Sequence, residues 1–117
     1  GVLAQRLVRV VCRACAQDEP IGAQTAQELE RAGFPAERVV RGRGCPACRG
    51  TGYRGRTGVY ELLVVTDPVR DEVMRGRGSS ALRELALAAG MRPLRSDGWR
   101  QVAAGVTTPE EVLRVAR

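Results

Sequence analysis

The sequence predicts an α+β fold, mostly helical, in which a cysteine-stapled lobe with a short strand precedes a small bundle of short helices. Three observations predict it. Two Cys-x-x-Cys pairs, Cys12/Cys15 and Cys45/Cys48, bracket a 29-residue insertion. The run "TGVYELLVV" is β-branched and apolar. Beyond it, helix-start and helix-stop residues recur four times.

In chain order, Val2, Leu3, Leu7, Val10 and Val11 fall at helical spacing, which predicts a helix ending at the first cysteine pair. The opening "GVLAQRLVRVVC" carries Arg6 and Arg9 and no Ala-x-Ala-type cleavage site, so it reads as a helix entered part-way in a larger protein and not as a signal peptide. Within the insertion, "GAQTAQELERAGF" predicts a short helix stopped by Gly33 and Pro35, and "ERVV" a short strand. "TGVYELLVV" is the strongest strand signal in the chain. Asp67-Pro68 starts a helix running to Arg75 before Gly76. Ser79 or Ser80 caps the next, with Leu82, Leu85 and Ala86 on one face and Gly90 as the stop. A third covers about Pro93–Ala104. A fourth opens on the capping box Thr108-Pro109-Glu110-Glu111 and buries Val112, Leu113 and Ala116.

At 117 residues the chain is one domain or two small lobes, burying roughly 65% of its unfolded surface. Aromatic residues are only 3%, so the core is built of Leu, Val and Ala, and a core of that kind is often stapled. No run of about 18 apolar residues predicts a membrane span. The net charge of +6 comes from 19 arginines and no lysine. Five arginines and no carboxylate lie between Arg41 and Arg56. This excess reads equally as a solvated face or as a surface for an acidic partner or lipid. Nucleic acid is not expected, because only Tyr53 and Tyr60 stand near the cluster to stack on bases.

Paired Cys-x-x-Cys knuckles bring two thiolates each to one tetrahedral ion, completing a closed four-sulfur shell. Structural Zn²⁺ suits Cys12, Cys15, Cys45 and Cys48, which makes this a zinc-stapled lobe. Two disulfides would need an oxidising compartment, and no export signal is present. Iron could occupy the same sulfurs, but nothing argues for electron transfer. Gly50 and Gly52 are expected to supply positive φ for the turn. Arg13, Arg43 and Arg49, next to the ligands, could offset the formal −2 charge of the filled site. With no histidine and no open position, the metal is expected to hold shape and not to catalyse.

Catalytic signals are missing. There is no phosphate-binding G-x-x-x-x-G-K-[ST] loop and no serine in a nucleophile elbow. The carboxylate pairs Asp71/Glu72 and Glu110/Glu111 are placed in helix first turns, where they complement the dipole. The chain alone is expected to be inactive.

The blocks "LAQRLVRVVCRAC", "CPACRGTGYRGRTGVYELL" and "GMRPLRSDGWRQVAAGVTTPEEVLRV", in that order, resemble the C-terminal region of the type II secretion ATPase family over essentially the whole chain. The related type IV pilus assembly ATPases are close alternatives. The resemblance implies a cytoplasmic, homo-hexameric RecA-like motor, associated peripherally with the inner membrane through partners, that couples ATP hydrolysis to pseudopilus assembly and protein secretion. It implies that residues 1–11 end the nucleotide-binding core, 12–56 form the tetracysteine lobe, 57–66 a connecting strand and 67–117 a helical subdomain. ATP and Mg²⁺ would be bound only by an upstream domain, and the tetracysteine favours a secretion or assembly motor over a retraction motor. The implied partners are the chain's own RecA-like domain, neighbouring subunits, and the inner-membrane platform and cytoplasmic-linker proteins, with acidic lipid as a further candidate.

Two departures stand out. The first knuckle reads Cys-Arg-Ala-Cys where the family often has Cys-Pro-x-Cys, and Trp99 replaces an expected aliphatic residue, consistent with core or inter-lobe packing. Arg54 and Arg56 are candidates for contacting a neighbouring subunit or its nucleotide phosphates, where a planar, always-charged fork is suited to bidentate contact. The competing reading is a solvated arginine or a pair with a carboxylate within the domain. Readings outside the motor family are a stand-alone zinc-knuckle module and a basic nucleic-acid-binding zinc domain.

Overall fold

The computed structural model describes residues 1–116. Its elements are β1 (Val2–Val11), β2 (Ala16–Pro20), α1 (Ala23–Arg31), β3 (Arg38–Gly42), a 3-10 turn (Pro46–Cys48), β4 (Tyr53–Leu63), α2 (Asp67–Arg75), α3 (Ser79–Ala88), α4 (Leu94–Ala103) and α5 (Pro109–Val115). The α+β expectation holds, with four strands where two were expected. The strands form two antiparallel ribbons, β1 with β4 and β2 with β3.

The first correction is β1, read from the sequence as a helix. Leu3 pairs with Leu62, Gln5 with Tyr60, Leu7 with Gly58 and Arg9 with Arg56. Apolar residues at 2, 3, 7, 10 and 11 satisfy helical spacing, but three of those five are valines, and the β4 ladder supplies a partner that local propensity cannot see. Strand β2, "AQDEP", had no strand signal, and it forms because β3 lies beside it. Strand β4 starts at Tyr53, four residues before the expected boundary. It carries an extra residue between Arg56 and Tyr53 opposite Arg9 and Val11, and Gly55 takes φ +85° there, the left-handed conformation of a bulge.

The helices follow their start and stop residues. Thr66 Oγ1 accepts from Val69 N at the start of α2, and Gly76 closes it at φ +66°. Helix α3 starts after Gly78 without either serine capping it by side chain. Thr108 Oγ1 accepts from Glu111 N, giving half of the expected capping box. Asp71 and Glu72 lie at mid-helix in α2 and not in its first turn; Glu72 is buried against Arg77. Leu113, expected in the core, is exposed, whereas Val112 and Ala116 are buried.

The main core joins the two regions of the chain. Leu29 of α1 and Val39 of β3 pack with Trp99 and Val102 of α4, Val112 of α5 and Ala116. Trp99 is a core residue, one of the two alternatives expected for it, and it packs α4 against α1 and β3. Side chains of α4 also cap the outer edge of β4: Asp97 Oδ2 accepts from Tyr60 N at 2.9 Å, and Gln101 Nε2 donates to Gly58 O at 2.7 Å. No helix among the described residues is long and apolar enough to cross a membrane.

Candidate metal centre

The two ribbons meet where the chain crosses between them, first from β1 to β2 and later from β3 to β4. Cys12 and Cys15 lie in the first crossing, Cys45 and Cys48 in the second. Antiparallel pairing in both ribbons brings the crossings together. Arg43 N donates to Cys15 O at 3.2 Å and Cys12 N to Gly52 O at 2.9 Å.

All four Sγ atoms lie within 4.8 Å of one another. Cys12–Cys45 and Cys45–Cys48 are 3.8 Å apart and Cys15–Cys48 3.9 Å. Sulfurs bound at about 2.3 Å around a tetrahedral ion stand about 3.8 Å apart, whereas a disulfide holds its sulfurs at about 2.05 Å. The cysteines are free, and their spacing fits one tetrahedral metal ion.

Glycines make the joint possible. Gly50 and Gly52 have φ +78° and +80°, as expected, and Arg49 shares the left-handed region at +56°. Gly42 and Gly52 press backbone to backbone: a Cβ on Gly42 would lie 2.7 Å from Gly52 Cα and closer still to its carbonyl oxygen. No motif in the sequence marked Gly42, which ends β3 two residues beyond the "ERVV" run.

The turns aim N–H donors at sulfur. Gly52 N and Cys45 N donate to Cys48 Sγ at 3.2 and 3.3 Å, and Gly44 N to Cys15 Sγ at 3.4 Å. Burial pushes the Cys48 thiol up, but the Cys45 and Gly52 N–H donors, with bonding to the Cys45 and Cys15 thiols, outweigh it and bring the thiol down to about 6. Cys15 is raised to about 11, by burial first and then by bonding to the other thiols. One thiolate is therefore already favoured near neutral pH, and a cation would draw the protons from the others. Arginine plays a smaller part than its placement suggested. Arg13 donates to Gly105 O at 2.9 Å, and no guanidinium hydrogen-bonds a sulfur among the described residues.

Arg54 and Arg56 lie on β4 beside the bulge, both exposed, with no ion pair among the described residues; Arg9 stands opposite Arg56. Arg9 itself is engaged. Its N–H and guanidinium donate to Glu111 at 2.8 and 3.0 Å, and it lies 4.2 Å over the Tyr53 ring. Arg114 Nη2 donates to the same carboxylate at 2.9 Å. Burial raises the Glu111 carboxyl, but Arg114 and Arg9 overcome it and hold the group at about 2. Sequence reasoning gave Glu111 only a place in a capping box, since its partner Arg9 lies 102 residues away.

The family described as Type II/IV secretion system protein matches residues 1–114. The type II secretion system protein HxcR of Pseudomonas aeruginosa is 49% identical over 117 residues, covering all of this chain and 21% of that protein. The type IV pilus assembly ATPase PilB of Thermus thermophilus is 42% identical, covering 97% of this chain and 13% of its own length. The type II secretion system ATPase E of Vibrio cholerae is 40% identical, with all of this chain and 23% of the relative covered. The chain thus spans less than a quarter of the length of these relatives. A match of this extent, over the resembling blocks and all four cysteines, means that the chain belongs to the Type II/IV secretion system protein family.

Proposed function

We propose that this chain is the zinc-binding C-terminal region of a cytoplasmic secretion motor ATPase that drives pseudopilus assembly and protein secretion. The observation that carries the reading is the set of four sulfurs at tetrahedral spacing, at the joint of two ribbons, in a member of this family. Cys12, Cys15, Cys45 and Cys48 hold the ion. Zinc suits them as a borderline-soft, redox-inert centre whose four-sulfur shell leaves no open position for catalysis. Bound there, it supplies cross-linking of both crossings, a contribution on the order of 10–16 kcal/mol in small zinc peptides.

On this reading residues 1–11 close the nucleotide-binding core, residues 12–56 are the zinc lobe, 57–66 connect, and 67–117 form the helical subdomain. ATP and Mg²⁺ belong to an upstream domain, and this region supplies shape and contacts to its own core, to neighbouring subunits of a hexamer and to the inner-membrane platform. Arg54 and Arg56, exposed and without an ion pair among the described residues, suit the subunit or phosphate contact. A type IV pilus assembly motor is the second reading, favoured by the likeness to PilB.

Metal analysis of the purified chain tests the first claim. One zinc per chain is expected, lost in Cys45→Ser together with a large drop in melting temperature. A metal-free chain that melts at the same temperature refutes it. In the full-length motor, Arg56→Ala with unchanged nucleotide hydrolysis and assembly refutes the arginine contact.

A further inference from the structure

A cavity of about 240 Å³ opens between α1, α3 and the start of α4, on a face the metal centre does not use. Arg31, Arg83, Arg95, Ser96, Glu28 and Trp99 line it. Three guanidinium groups against one carboxylate leave the lining at +2. Glu28 accepts from Arg95 Nη2 at 3.1 Å, and Glu61 lies 3.9 Å from Arg83, although its Oε1 is already held by Leu94 N at 2.9 Å. Arg31 has no ion pair among the described residues.

Three buried side-chain N or O atoms among the described residues lack a hydrogen-bond partner, and two of them are donors on residues of this cavity: Arg95 Nε and Trp99 Nε1. A buried donor without an acceptor points to a missing acceptor. Ser96 adds a hydroxyl in the first turn of α4, where the helix dipole also favours negative charge. A carboxylate would leave one positive charge uncompensated, whereas a phosphate dianion balances the lining and offers acceptors to several guanidinium forks.

We propose that this cavity binds a phosphate-type oxyanion through Arg31, Arg83 and Arg95. The volume falls below the range of ordinary small-molecule pockets, so it takes the phosphate group and not a whole nucleotide. Glu28 is the internal competitor, because it holds the Arg95 fork that the oxyanion recruits.

Trp99, the sole tryptophan, forms one wall and reports occupancy directly. Inorganic phosphate titrated into the metal-loaded chain at low salt should change its fluorescence saturably. Phenyl phosphate in a parallel titration tells a free ion from a phosphoryl group carried on a larger molecule. Arg83→Gln and Arg31→Gln, each checked for an unchanged melting temperature, should weaken phosphate about 10-fold, since a charged hydrogen bond is lost. Arg70→Gln on α2 should change it less than 2-fold, and Glu28→Gln should tighten it. Absence of saturable binding by either compound overturns the proposal. So does an affinity indifferent to Arg83→Gln, one weakened as much by Arg70→Gln, or one weakened by Glu28→Gln.

Discussion

Replacing Glu111 by Gln should uncouple β1 from α5. The carboxylate is 2% exposed and accepts from Arg9 N, Arg9 Nη2 and Arg114. Its carboxyl is held at about 2 against an ordinary 4.5. At about 1.36 kcal/mol per pH unit that difference is worth roughly 3 kcal/mol, and because the side chains of Arg9 and Arg114 are 48% and 53% exposed, solvent screening lowers it to about 2 kcal/mol. The folded group is depressed, so its stabilisation is complete above pH 4.5 and is lost as pH falls toward 2. Urea unfolding of the metal-loaded wild type and Glu111→Gln should therefore differ by about 2 kcal/mol, constantly from pH 8 to 5.5. That range stays above the acid region in which thiol protonation would also release metal. A difference below about 0.5 kcal/mol at pH 7, or one that grows as pH falls from 8 to 5.5, refutes the assignment.

Two further substitutions probe the joint and the core. Gly42→Ala drives a methyl into the Gly52 backbone and should cost more than 2 kcal/mol in urea unfolding, whereas Gly50→Ala, with open space around its Cβ, should cost about 1 kcal/mol for its positive φ alone. Trp99→Ala empties the centre of the shared core and should cost about 3–5 kcal/mol, with loss of amide-exchange protection in α1 and β3 as well as in α4.

Elements set by local chemistry were legible in the sequence. Asp67-Pro68 with Gly76 carries start and stop signals and Thr108-Pro109 a start signal, and α2 and α5 lie there, although the cap of α2 is Thr66, one residue earlier than Asp67. The cysteine spacing likewise marked the four side chains that the fold gathers within 4.8 Å of one another, because two knuckles suffice for a four-sulfur cluster and the chain has two. Features set by distant partners were not legible. Residues 2–11 satisfy helix and strand patterns alike, and only β4 decides between them. The burial of Glu111 depends on Arg9 at the other end of the chain, and the abutment of Gly42 on Gly52 appears only once two ribbons meet.

The pairing of Val11 with Tyr53 makes everything between them a removable cassette. A two-residue turn could join those positions and leave the long hairpin paired without the sulfur-bearing appendage. The toll falls elsewhere, on the large indole that the appendage shelters. Without the insertion the indole would lose Leu29 and Val39 from its surroundings, which ties the bulk at position 99 to the lobe.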